Sequence, residues 1–173
     1  MNVTQIDYVG HSQGGIIGRY WMKYLGGAGK VKRQVCRMVG IAAINHGTTM
    51  NGLMGIFQML NIVSPDESAV GSLAPSVPEM VQDSAFMKKL NDGGDTVPGV
   101  IHSNIVTMYD EIITPYESCF QHGAGVTNVV LQDLCMISFN EHLTIINSMV
   151  VLRFILNQLD PDTAKPANCF PRF

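Results

Sequence analysis

The feature that most narrows what this 173-residue chain can fold into is Gly10-His11-Ser12-Gln13-Gly14-Gly15, because of what flanks it. Residues 3–9, Val-Thr-Gln-Ile-Asp-Tyr-Val, read as a strand. Residues 13–25 place Ile16, Ile17, Tyr20, Trp21, Tyr24 and Leu25 at helical spacing, and Gly26-Gly27 supplies a stop. A bare G-x-S-x-G arises often by chance. Between a strand and a helix it marks a sharp turn that presents serine at the end of a sheet. Gly10 and Gly14 carry no side chain, so neighbouring elements can approach closely. The helix opening at Gln13 aims its first N–H groups at any developing oxyanion.

The rest of the chain reads as more of the same sheet. A continuous apolar run at 35–44 fits a strand buried on both faces, as in parallel sheets. Strands are also expected at 102–109 and 126–132, and helices over 79–90 and 143–159, with an irregular tail from Pro161. Strands alternating with helices predict an α/β class, a mainly parallel sheet flanked by helices. The chain reads as one domain, 1–173, with 45–100 as a cap-like or lid-like insertion. Within that insertion 50–63 is strongly apolar. It reads either as a mobile lid or binding wall, with Met50, Leu53, Met54 and Phe57 lining it, or as a plain core helix of the cap.

Charge excludes several classes. Only 14% of residues are charged and the net charge is −3, so the chain is neither disordered nor a nucleic-acid binder. Its one loose basic cluster is Lys30, Lys32, Arg33 and Arg37. No apolar run approaches the ~18 residues of a membrane-spanning helix. No targeting sequence is read at the N-terminus, and Asn2-Val3-Thr4 is a formal glycosylation sequon.

A serine nucleophile needs a base, and the base needs a carboxylate to orient it. In chain order these follow as acid, then histidine. Asp110 directly follows the strand at 102–109 and leads the acids. Glu111, Glu117, Asp95 and Asp133 read as solvated loop charge. His11 lies within the turn and is expected to point away from Ser12. His46 and His102 precede the leading acid. His122 and His142 remain, and His142 sits just before the final helix, where the base belongs. Asp92 and Asp95 lie in a Gly-Asp turn, and no metal site is expected there.

Several spaced blocks together resemble one family. They are Gly10–Gly15, Arg19-Tyr20-Trp21, Asn45-His46-Gly47-Thr48-Thr49, the run from Tyr109 to Tyr116, the run from Val129 to Cys135, and Glu141-His142-Leu143. In this order they are similar to the secreted class 2 triacylglycerol lipases of the α/β-hydrolase fold and, more distantly, to fungal lipase B-like enzymes. The resemblance implies Ser12 as nucleophile, His142 as base, Asp110 as acid and one oxyanion N–H from Gln13. It implies ester hydrolysis through an acyl-enzyme, a lipid or small ester as substrate, contact with a lipid interface, secretion, and no metal or organic cofactor. It also implies a Cys135–Cys169 disulfide, with Cys119–Cys135 as the runner-up. In that fold about half the sheet and a second oxyanion donor precede the elbow, whereas Ser12 is the twelfth residue here. The expectation is therefore the C-terminal part of a longer hydrolase, poorly active alone. An acyltransferase, or a non-catalytic remnant or interaction module, is the alternative.

Overall fold

The computed structural model describes residues 5–28, 34–49, 51–52 and 76–169. Strands β1 (Ile6–His11), β2 (Val35–Ile41), β3 (Ile101–Val106) and β4 (Thr127–Val130) form one parallel sheet in chain order. Helix α1 (Gln13–Tyr24) connects β1 to β2, and α2 (Ala85–Asn91) precedes β3. A single turn, α3 (Leu131–Leu134), follows β4 directly, and α4 (Met149–Leu159) closes the fold.

Side-chain alternation along the strands builds a core on both faces. Val35 and Met38 of β2, brought into one cluster by a register shift against β1 after Val35, pack with Met22 of α1. Val39 and Ile41 point the other way, where they meet Ile105 of β3 and Val151 and Phe154 of α4. On the α1 side Ile16, Ile44, Met80, Leu90, Val106 and Ile113 form a further cluster. Leu90 and Ile105 are fully enclosed, and burial of such a side chain is worth about 1.5–3 kcal/mol. This is the α/β architecture expected, with the sheet sandwiched between α1 and α4.

Element ends differ from expectation for identifiable reasons. Instead of one helix over 79–90 there is a 3-10 turn at Pro78–Met80, a break, and then α2. Asp83 takes a left-handed φ of 62°, and Ser84 starts the new helix by accepting a hydrogen bond from the Met87 N–H. The helix expected over 143–159 breaks in the same way. Thr144–Asn147 is a 3-10 turn, and Ser148 caps α4 through the Val151 N–H. The strand expected through Ile44 stops at Ile41, where Ala42 adopts φ 42°. The strand expected at 102–109 ends at Val106, and the Asp110 N–H then closes a turn on the Thr107 carbonyl. The last strand gives way to α3 at Leu131. No described helix is long and apolar enough to cross a membrane.

Candidate active site

β1 runs straight into the turn. Ser12 has φ 54° and ψ −126°, a conformation that costs on the order of 1–3 kcal/mol in a residue with a Cβ. Its surroundings hold it there. The Ser12 N–H bonds the Ile41 carbonyl at 2.9 Å, the Gly15 N–H bonds the Ser12 carbonyl at 3.0 Å, and the Tyr8 hydroxyl donates to the Gly14 carbonyl at 2.7 Å. A Cβ on Gly10 would lie 2.7 Å from the Gly14 backbone, so glycine is required there. At Gly14 the expectation of close packing fails: a Cβ there meets nothing within 4 Å. Gly15 carries that constraint instead, since its Cβ would come within 2.3 Å of Ala43.

Three of the expected residues meet. The Ser12 Oγ lies 2.8 Å from His142 Nε2, and His142 Nδ1 lies 2.9 Å from Asp110 Oδ2. A carboxylate only accepts, so the Nδ1 proton faces Asp110 and Nε2 is free to accept from the hydroxyl. The other oxygen of Asp110 accepts from the Ile112 N–H at 3.0 Å and the Ile113 N–H at 2.7 Å. His142 and Asp110 have side chains 1% and 0% exposed, which keeps water from competing for these bonds. Gln13 is the first residue of α1, so its N–H stands at the positive end of that helix.

Residues that the spacing did not single out fix the two loops. The Gln132 amide donates to Thr107 Oγ1 at 2.9 Å and to the Ser138 carbonyl at 3.0 Å, and its oxygen accepts from the Met108 N–H. Thr107 in turn donates to the Asn140 carbonyl. The acid loop and the histidine loop are thus tied to one buried amide. Cys135 and Cys169 form a disulfide that anchors the tail to the start of the histidine loop. Cys119 is a buried free thiol whose pKa burial pushes well up, so it is inert, and Cys36 is also free.

His11 does not simply point away. Its Nε2 donates to the His142 carbonyl at 2.9 Å, and the two rings lie 5.0 Å apart. Burial lowers its pKa against the opposing effect of that backbone bond, so it is neutral at neutral pH. Glu111 accepts from the His142 N–H at 3.2 Å. Glu117 and Asp133 are exposed.

The reading of Asp95 as solvated loop charge is wrong. It is 6% exposed, and its Oδ2 accepts from His46 Nε2 at 2.9 Å and from the His122 N–H at 2.6 Å. Burial alone would raise its pKa, but these bonds and the nearby Arg19 hold it below the usual carboxylate range. The reason is long-range. Arg19, wholly buried in α1, bonds the Asp95 and Asn45 loops and Asn91 at the end of α2 through its guanidinium. His102 is also buried rather than at the site. Its Nε2 accepts from the Val97 N–H, and burial lowers its pKa to about 4.

An apolar cavity of about 360 Å³ begins at Gln13 and runs along α1 past Ile16, Tyr20 and Trp21 to Met80 and Phe86. Met136, Ile137, Phe139 and Leu143 stand exposed. Met50, Leu53, Met54 and Phe57 lie outside the described residues, as do the rest of 53–63 and the Asn2 sequon.

The family model for class 2 lipases matches residues 2–154. Among solved structures, lipase B of Aspergillus fumigatus superposes with a TM-score of 0.70 at 23% identity, covering 95% of this chain and 38% of that one. The product of gene lin2722 of Listeria innocua superposes with a TM-score of 0.54 at 14% identity, covering 95% of this chain and 61% of that one. At these identities the likeness is one of fold, and this chain spans less than two thirds of either relative. No curated protein matches it in sequence.

Proposed function

The chain belongs to the class 2 lipase family, and from that membership we propose a carboxylic ester hydrolase, a lipase or esterase, acting through Ser12, His142 and Asp110. The observation that carries this reading is the unbroken hydrogen-bonded line from Ser12 Oγ through His142 to Asp110, with links of 2.8 and 2.9 Å. His142 Nε2 takes the hydroxyl proton as Ser12 Oγ attacks the ester carbonyl. The oxyanion forms beside the Gln13 N–H, and a donor of that kind is worth about 100–1,000-fold in rate. His142 then gives its proton to the departing alcohol, which leaves an acyl-Ser12. Water, deprotonated by His142, attacks the acyl group and frees the acid. Asp110 holds the Nδ1–H tautomer throughout and balances the imidazolium that forms twice per turnover.

The apolar cavity starting at Gln13 suits an acyl chain, which supports a lipid or small ester as substrate. Val77, Met80, Met87 and Leu90 share one core with Ile16 of α1, which supports 45–100 as a cap over that cavity. The exposed Met136, Ile137 and Phe139 support contact with a lipid interface. The Cys135–Cys169 disulfide accords with secretion into an oxidising compartment.

Intact-mass analysis after treatment with a fluorophosphonate tests the reading. A single adduct that Ser12→Ala abolishes is the expected result, with turnover of short-chain esters slow in this chain alone. An adduct that persists in Ser12→Ala, or none on folded protein, overturns the assignment of Ser12. The same experiment measures how well this chain alone assembles the site.

A further inference from the structure

We propose that His46, Asp95 and His122 form a binding site for a divalent transition metal of the zinc class, separate from the ester-cleaving residues. One ligand atom from each lies within 4.8 Å of the others. Three different connections supply them: the loop after β2, the α2–β3 connection, and the segment leading into β4.

The donor set selects the metal. Two imidazoles and one carboxylate suit zinc, whereas calcium and magnesium prefer oxygen donors throughout. The carboxylate is oriented from behind, as ligating carboxylates are. Arg19 Nη2 stands 3.9 Å from Asp95 Oδ1, and the His122 N–H holds Oδ2 at 2.6 Å. Both rings are accessible to an incoming ion. The His46 side chain is 31% exposed, His122 is exposed, and the two ring centroids are 5.5 Å apart. Solvent supplies the fourth ligand as water.

Binding exchanges two hydrogen bonds of His46 for three metal–ligand bonds, since protonation of Nδ1 also gives up the 3.4 Å bond from the Asn91 amide. The Nε2–H···Oδ2 bond between His46 and Asp95 breaks. When Nε2 is the ligating nitrogen, its proton leaves to solvent and Nδ1 takes one up, so the ring stays neutral and its Nε2 lone pair goes to the metal. Arg19 remains on Oδ1 and opposes the added positive charge, so Arg19 moderates the affinity. The consequence is mechanical: a bound ion clamps three loops to one another.

The test uses the whole chain, stripped with a chelator and titrated with ZnCl₂ by calorimetry, with melting curves and histidine-ring NMR alongside. The expected result is one Zn²⁺ per chain. At a hundredfold excess over Kd it raises Tm by about 5–10 °C. His46 and His122 signals shift while those of His142 stay. His122→Ala, at an exposed position, keeps the metal-free Tm and loses both the binding and the Tm gain; His46→Gln serves if that variant does not fold. No binding, binding that survives these substitutions, or a shift at His142 overturns the proposal.

Discussion

Two histidine–aspartate pairs in this molecule have the same 2.9 Å separation, His142–Asp110 and His46–Asp95. They differ in everything around that bond. In the first pair both side chains are buried, and the far nitrogen of the imidazole meets a hydroxyl in a strained turn. Among the described residues, Asp110 accepts from N–H groups, those of His142, Ile112 and Ile113. In the second pair the far nitrogen of His46 faces the Asn91 amide at 3.4 Å, and solvent reaches the ring. Asp95 also already faces a permanent cation. Burial lowers the Arg19 pKa to about 10, which leaves it charged at neutral pH. A short histidine–aspartate bond therefore does not make a proton relay. The group on the far nitrogen, the access of water and the prior use of the carboxylate decide.

Removing each histidine breaks the comparison most sharply. His142→Ala should lower ester hydrolysis by about a millionfold, the scale for losing a triad histidine, whereas His46→Ala should stay within about tenfold; steady-state kinetics checks both. Next comes the disulfide, which bears on the first pair because Cys135 opens the stretch leading to His142. Cys169→Ser should cost about 3–4 kcal/mol in urea unfolding, given the 34-residue separation.

Acid should weaken the neighbourhood of the second pair. His102 bonds Gln121, which in turn bonds the Asp95 carbonyl. Its pKa is about 4 when folded against 6.5 as the ordinary value. Between these values the unfolded chain binds a proton that the native chain refuses, so stability falls as pH drops. The loss should reach about 3 kcal/mol by pH 4, and His102→Gln should blunt it in pH-dependent melting. The smallest effect expected is about 1 kcal/mol for Ser84→Ala, which removes the cap of α2 and should leave the first pair untouched in labelling assays.

Local pattern made much of this legible in the chain. The Gly10–Gly15 turn is a short-range signal, and Asp110 and His142 stood out as candidates because each comes after a strand, in the order acid then histidine. The fold then brings these side chains into contact. What was not legible depended on distant partners. Asp95 looks like a turn residue until Arg19, far away in α1, arrives beside it. Gln132 becomes a clamp only when Thr107 and Ser138 come together. The two broken helices are a different case. Ser84 and Ser148 are ordinary N-cap residues, and their signal was present but outweighed by the apolar periodicity around them.

The most direct test of the account compares the second-order rate of fluorophosphonate labelling at Ser12 in Asp110→Asn and Asp95→Asn, well below the melting point of each. The account predicts that Asp110→Asn labels about ten-thousandfold more slowly than the parent chain, and that Asp95→Asn labels within about tenfold of it despite lower stability. Equal losses in the two variants, or the larger loss in Asp95→Asn, would contradict it.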